Sequence, residues 1–249
     1  MLGWLTKLLA PPSDIPDALW QLTLTDYPFL GNRPNEAQGR LRFLTMQFLA
    51  QKQFSGAHGL LITDRMAVCI AAQACLPILN LGLNAYDDFK GIVVHSGAMV
   101  ARRRVVDAAG VHHFYKEALA GEAMEGGPVT LSWQDVAASD EHFARGYNLV
   151  IHEFVHKLDM GDGAANGCPL LPTRAAGAQW QSVMQASYQL FSEQVAMAER
   201  FGAQMPWLDA YGTTSPAEFF SVASEAYFVN PGRFALEFPD LNRLFGSYF

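Results

Sequence analysis

Hydrophobic and polar positions change their rhythm several times along the 249-residue chain. From Asn35 the apolar residues Ala37, Leu41, Leu44 and Phe48 recur at the three-and-four spacing of one helix face, and Asn35 itself stands where an N-cap would. Phe54 to Ile62 reads as a loop, after which Thr63 can cap a helix from Asp64 to about Leu76. Met66 to Leu83 is the longest apolar stretch, but Gln73, Pro77 and Asn80 interrupt it. It predicts a core helix ending near Pro77 rather than a membrane span. Short β-rich runs follow at Gly91 to His95, Val111 to Phe114 and Val129 to Leu131. After Gln134 the pattern is helical almost to the end. Before Asn35, the residues Pro16, Pro28, Gly31 and Pro34 predict an irregular lead-in over 1–34, with short turns around Trp20, Leu22 and Leu24. No repeat or low-complexity linker divides the chain. The expectation is a single domain over 1–249 of the α+β class, mostly helical, with a small mixed sheet.

Composition narrows the function. Half of the residues are hydrophobic, which excludes wholesale disorder. Seventeen basic against twenty-four acidic residues give a net charge of −7, which argues against a protein that grips nucleic-acid phosphates directly. The run Arg102-Arg103-Arg104 is too short to change that and reads as a solvated strand or loop edge. Three cysteines, Cys69, Cys75 and Cys168, cannot build a secreted disulfide framework. Met1 to Ala10 is apolar, but its Lys7 falls inside the run and Pro11-Pro12 ends it, unlike a secretory signal. These features predict a cytoplasmic protein without a membrane span.

The chemistry is carried by Tyr147 to Asp159, which contains His152-Glu153-Phe154-Val155-His156. Residues four apart lie one turn above each other on a helix, so both imidazoles can reach one Zn²⁺. Glu153, beside the first ligand, is placed to take a proton from a water activated by the metal and pass it to a leaving amine. No Pro or Gly interrupts Tyr147 to Met160, and Gly161 and Gly163 follow. A catalytic zinc needs a third protein ligand, for which the residues leave three possibilities. Asp162 stands where a metzincin has its third His, although Asp159 replaces the glycine of the turn. A later Glu is the second possibility: Glu193, Glu199, Glu218 or Glu225. The third is a site without such a ligand. Glu218 is also the last member of a capping box that opens with Ser215-Pro216, and Glu225 lies two turns further along the same face. Periodicity leaves those two nearly level.

The run His152 to Asp159 resembles that of the Mlc titration factor A family of bacterial zinc peptidases. So do Gly127 to Trp133 upstream, Pro216 to Phe220 and Ser224-Glu225-Ala226 downstream, and Ile70 to Pro77 in the N-terminal half. The catalytic part is also similar to the protease domain of anthrax lethal factor, another gluzincin. The resemblance implies a zincin-like metallopeptidase domain holding one Zn²⁺ on His152, His156 and Glu218. It further implies that Tyr211 stabilises the oxyanion, that Asp159 orients a ligand histidine and that Glu225 supports the ligands from behind. The implied activity is aminopeptidase-like hydrolysis of peptides, together with binding of a transcriptional repressor of the Mlc type.

Gly121-Glu122-Ala123-Met124-Glu125-Gly126 is similar to the Gly-x-Met-Glu-Asn segment of zinc aminopeptidases, but Gly126 replaces the Asn and the match reads as coincidence. In that role Glu125 would pair with a substrate α-ammonium. Val129 to Trp133 is the candidate edge strand for docking an extended peptide. The competing functions are a repressor-sequestering protein whose zinc is mainly structural, and a zinc hydrolase acting on another amide.

Overall fold

The computed structural model describes residues 14–106, 112–137 and 140–249. Met1 to Ala10, Asp107 to Gly110 and Val111 lie outside the described residues, and with them the N-terminal apolar run. Five elements open the fold: helices α1 (Asp17–Asp26), α2 (Pro28–Gly31) and α3 (Asn35–Gln51), strand β1 (Gln53–Gly56) and helix α4 (Asp64–Cys75). Strands β2 (Gly91–His95), β3 (Met99–Val106), β4 (His112–Leu119), β5 (Gly121–Ala123) and β6 (Val129–Ser132) follow. The rest is helical: α5 (Trp133–Val136), α6 (Asp140–Ala144), α7 (Leu149–Asp159), α8 (Arg174–Phe201), α9 (Pro216–Val229), α10 (Pro231–Glu237) and α11 (Pro239–Gly246). The architecture is α+β and mostly helical, with a small mixed sheet.

The lead-in predicted to be irregular over 1–34 is instead helical at α1 and α2. Pro16, Pro28 and Pro34 mark helix starts rather than turns. Pro16 precedes the first residue of α1, Pro28 opens α2 and Pro34 precedes α3, positions where a missing N–H costs nothing and φ suits a helix. Trp20 and Thr23 bury the inner face of α1. Asn35 accordingly begins α3 instead of capping it. The predicted loop after Phe54 begins as strand β1, whose four residues are too few to show an alternation. The strand exists because β2 lies parallel to it, with Phe54 opposite Ile92. Helix α4 matches its predicted bounds, and the Thr63 hydroxyl accepts the Met66 N–H at 3.2 Å. Among the described residues no helix is long and apolar enough to cross a membrane.

Four strands form the main sheet in the order β1-β2-β6-β5, and β3 and β4 make a separate antiparallel pair. β2 and β6 run parallel, and their inward positions Ile92, Val94, Val129 and Leu131 are fully buried. β5 is antiparallel to β6 and forms an outer edge. Val129 to Ser132, expected to be an edge, is therefore interior and paired on both sides. Among the described residues the outer strands of this sheet are β1 and, on the side of β6, Gly121–Ala123. Helix α7 packs between β5, β6 and α4 on one side and α9 on the other, and every one of its eleven residues is buried. Phe154 meets the rings of Phe48, Tyr86 and Phe89 at 5.3–5.8 Å, a core contribution of about 2–3 kcal/mol. The aromatic C-terminus is core as well, with Phe234 and Phe245 fully buried.

The segment after α7 is fixed by one glycine. Gly167 has φ +81°, and a Cβ there would lie 2.6 Å from the Pro216 carbonyl oxygen at the start of α9. Gly167→Ala should therefore lower stability by about 1–3 kcal/mol in urea unfolding. Gly39→Ala, mid-helix in α3 with open space around it, should raise stability by about 0.5–1 kcal/mol in the same assay.

Candidate metal centre

Helix α7 begins because Asn148 caps it, its side-chain oxygen accepting the Ile151 N–H at 2.9 Å. The cap is itself held, since the Asn148 amide donates to Gln73 Oε1 of α4 at 2.7 Å. From that start, His152 and His156 project on one side of the helix, one turn apart. Helix α9 begins at Pro216 with the Ser215 hydroxyl accepting the Glu218 N–H at 3.2 Å. Only the Ser215 half of the foreseen capping box is made, capping the Glu218 N–H, and the Glu218 carboxylate reaches across to α7 instead.

Three ligand atoms converge. Glu218 Oε2 lies 3.0 Å from His152 Nε2 and 3.2 Å from His156 Nε2, and the two imidazole nitrogens are 3.2 Å apart. Donors held at 2.0–2.1 Å around a tetrahedral ion sit about 3.3 Å from one another, so this triangle has the size of a metal cage. His152, His156 and Glu218 are the only such group among the described residues. Neither Asp162 nor Glu225 joins it.

Glu225 works from the other side of the ring. Its Oε1 lies 2.7 Å from His152 Nδ1, and its Oε2 accepts the Asn148 N–H at 2.5 Å. With the proton on Nδ1, the Nε2 lone pair faces Glu218 and a metal. Asp159, expected to orient a histidine, does something else. Its fully buried carboxylate accepts the N–H groups of Gly167 at 2.8 and 2.9 Å and of Cys168 at 2.9 Å; it feels the charge of His156, whose Nδ1 has no hydrogen-bond partner among the described residues. Asp159 thereby clamps the loop that meets α9. Trp180 Nε1 donates to the Gly167 carbonyl at 2.7 Å and closes the same clamp.

The electrostatics favour a cation at the triangle. Burial alone would lower the His152 pKa, but the Glu225 and Glu218 carboxylates raise it well above its usual value. Burial would likewise raise Glu218, yet the two imidazoles hold it well below the carboxylate range. Glu153 is pushed up to about 7, first by burial and then by the Glu218 and Glu225 charges against the opposing pull of His152. A bound dication would relieve this excess of carboxylates.

A cleft of about 720 Å³ opens beside the triangle, with His152, Glu153, Glu225 and Tyr211 in its walls. Tyr211 is 48 % exposed, and its ring centroid lies 6.1 Å from that of His152. Gly121 of β5 presses on Glu153: a Cβ there would come within 2.4 Å of Glu153 Oε1. Glu125 stands on the exposed turn between β5 and β6 and does not line the cleft. The sequence reading missed Gly121 and the buried Lys157, which donates to the Met124 carbonyl at 2.9 Å and pairs with Asp88 at 2.5 Å. A lysine inside an apolar helix was the available signal for the second. Gly121 opens the segment similar to that of zinc aminopeptidases, but nothing in that pattern pointed to Glu153.

Comparison with known proteins agrees with this geometry. The family described as glucose-regulated metallo-peptidase M90 matches residues 3–249. A protein named Mlc titration factor A from Serratia proteamaculans is 35% identical over 100% of this chain and 92% of its own length. Its namesake from Pectobacterium atrosepticum is 35% identical over 92% of this chain and 84% of its own length. An uncharacterised protein of Synechocystis is 36% identical over 84% of this chain and 75% of its own length.

Protein purified without chelators should carry about one metal ion per chain by elemental analysis, and Glu218→Ala or His156→Ala should carry sharply less. Glu225→Gln should still bind the metal, about 10–100-fold more weakly in competition with a chelator. Full occupancy in Glu218→Ala would remove Glu218 from the centre.

Proposed function

The chain belongs to the M90 family of glucose-regulated metallopeptidases, and from that premise we propose that it is a cytoplasmic zinc-dependent peptidase with aminopeptidase-like action. The convergence of His152 Nε2, His156 Nε2 and Glu218 Oε2 within 3.2 Å of one another carries the reading. Two imidazoles and one carboxylate suit zinc, which when bound supplies a Lewis acid that acidifies water and polarises a peptide carbonyl.

The chain's own groups do the rest. Glu153, next to the first ligand in sequence and open to the cleft, takes the proton of the attacking water at its carboxylate and delivers it to the departing amine. The Tyr211 hydroxyl donates a hydrogen bond to the carbonyl oxygen as it gains negative charge. An extended peptide would add to the outer edge of β5 through backbone hydrogen bonds, which would bring its carbonyl over Glu153. Glu225 holds His152 in the tautomer that leaves Nε2 free for the metal.

A second reading accompanies the first. Relatives that match most of this chain are named Mlc titration factor A, and we extend to this protein the binding of a transcriptional repressor of that type. The two readings can coexist, and Glu153→Gln separates them by stopping hydrolysis while sparing capture of the repressor.

Glu153→Gln should keep its zinc and lose about 10²–10⁴-fold in kcat on peptide substrates. Tyr211→Phe should lose about 10²-fold in kcat with little change in KM. Gly121→Ala, which drives a methyl group into Glu153, should lower kcat at unchanged zinc content. Parent-level hydrolysis by Glu153→Gln would sink the mechanism.

A further inference from the structure

Helix α4 carries one amide among its buried residues, Gln73, which is 1% exposed and lies outside the cleft. Burying an amide among apolar residues is costly unless its oxygen and its nitrogen are both engaged. Both are. Gln73 Nε2 donates to the Cys69 carbonyl of its own helix at 3.0 Å, and Oε1 accepts the Asn148 side-chain amide at 2.7 Å. Building on the zinc-centre reading, we propose that Gln73 is a positioning residue for the metal, holding His152 through Asn148 and Glu225 where Nε2 meets Glu218.

Continuity is the first argument. Asn148 engages every polar group it has. Its side-chain oxygen caps α7 at the Ile151 N–H, its carbonyl accepts the His152 N–H at 3.0 Å, its own N–H donates to Glu225 Oε2, and its side-chain amide goes to Gln73. Glu225 Oε1 in turn meets His152 Nδ1 at 2.7 Å. Three hydrogen bonds therefore run without a gap from Gln73 to the ring whose Nε2 faces the metal position.

Direction is the second. Cys69 lies one turn back on α4, so its carbonyl holds the Gln73 nitrogen toward its own helix and leaves the oxygen aimed at α7. A flipped amide would set oxygen against the Cys69 carbonyl and nitrogen against the Asn148 amide. Gln73 thus has one orientation, and it permits Asn148 only the one whose oxygen caps α7. A cavity of about 10 Å³, roughly the room of one water, adjoins Gln73 and Asn148. Without the Gln73 amide a water there can satisfy the Asn148 side chain but cannot aim it.

Economy is the third. Ala71, Ala72 and Ala74 around Gln73 are fully buried, and a methionine at 73 would fill much the same space with no polar group to satisfy. A residue needed only to pack α4 on α7 has no use for an amide. The three linked groups are also closed to bulk water: Asn148 is 5% exposed and Glu225 2%. A displacement at Asn148 is therefore not absorbed by solvent and passes to the Glu225 carboxylate, which would lose one of the two bonds that fix it.

The test measures zinc affinity by competition with a chelator on the full chain, beside Tm. Gln73→Met should bind zinc about 5–10-fold more weakly than the parent and still fill the site at excess zinc. Asn148→Ser keeps an oxygen that can cap α7 and loses the amide, so it should weaken zinc by a similar factor. The double variant should be no weaker than either single one, because both remove the same bond. Thr45→Val is the control for a lost core hydrogen bond: its fully buried hydroxyl donates to the Leu41 carbonyl at 2.7 Å, far from this chain of bonds. It should lower Tm and leave zinc affinity at the parent value. In zinc-loaded parent protein the His152 Nδ1 proton should give a low-field NMR resonance, which Gln73→Met should shift and Thr45→Val should not. Parent-level affinity with an unmoved resonance in Gln73→Met overturns the proposal, as do effects that multiply in the double variant. Should Gln73→Met fail to fold, Asn148→Ser reads the same bond from its other end, and parent-level affinity there is equally fatal. Zinc in the parent with no effect of Gln73 retires the positioning role alone; no zinc in the parent retires the centre and the role together.

Discussion

The Glu225 carboxylate is the constraint on which the centre depends. One oxygen meets His152 Nδ1 and the other takes the Asn148 N–H, so a single side chain from α9 fixes both the first ligand and the start of the helix that carries it. Burial raises the Glu225 pKa and by itself would favour the neutral acid; the two bonds and the His152 charge oppose that. The interaction is costly to expose and costly to break, because loss of either partner leaves a polar group stranded in the core. It therefore locks α7 and α9 in one relative position, and Glu218, two turns earlier on α9, follows from that placement.

Helix α7 is buried along its whole length yet carries two histidines, a glutamate, a lysine and an aspartate. The two histidines meet carboxylates of α9, and Lys157 and Asp159 each take a partner from another part of the chain that ties down a neighbouring element. Lys157 binds Met124 and Asp88 and sits 4.9 Å from the centre of the Phe89 ring. Asp159 binds the loop at Gly167, whose own close approach to Pro216 sets where α9 begins. The polar groups thus act as fasteners between an apolar helix and its surroundings, and the candidate metal centre lies where α7 and α9 meet.

What the sequence revealed of this site has a physical boundary. A helix bearing His152, Glu153 and His156 is a local property, readable from a four-residue spacing and a capping pattern. The choice between Glu218 and Glu225 is not local. Seven residues apart, they lie on nearly the same face of α9 and about 10 Å apart along its axis. The His152 ring stands between them and presents Nε2 to one and Nδ1 to the other. Periodicity sees two equivalent acids; only the position of α7 separates ligand from support, and the family resemblance had to stand in for it. The same holds for Asp159, whose carboxylate is claimed by amides eight and nine residues later instead of by an imidazole. β1 and the edge position of β5 were illegible for a related reason, since pairing partners distant in sequence decide which short segment becomes a strand and which strand is outermost. The helices before Asn35 were missed because proline marks a turn and a helix start alike, and only the burial of Trp20 and Thr23 tells them apart.

Two adjacent stripes of α7 would let one short helix serve both the proposed metal and a substrate. His152 and His156 form one stripe and face α9, whose carboxylates meet them. Glu153 and Lys157 form the next, also four residues apart, and face the β5 hairpin. Lys157 grips the carbonyl of Met124 just beyond β5, while Glu153 lies against Gly121 at its beginning. The register of β5 is pinned at both ends by the same helix that bears the ligands. A slip of one residue would bring Glu122, a second carboxylate, where the glycine must be, and every position on the strand would change face. The strand's outer edge and the Glu153 carboxylate are consequently held in fixed relation, so a peptide added to that edge would be positioned by the helix that bears His152 and His156.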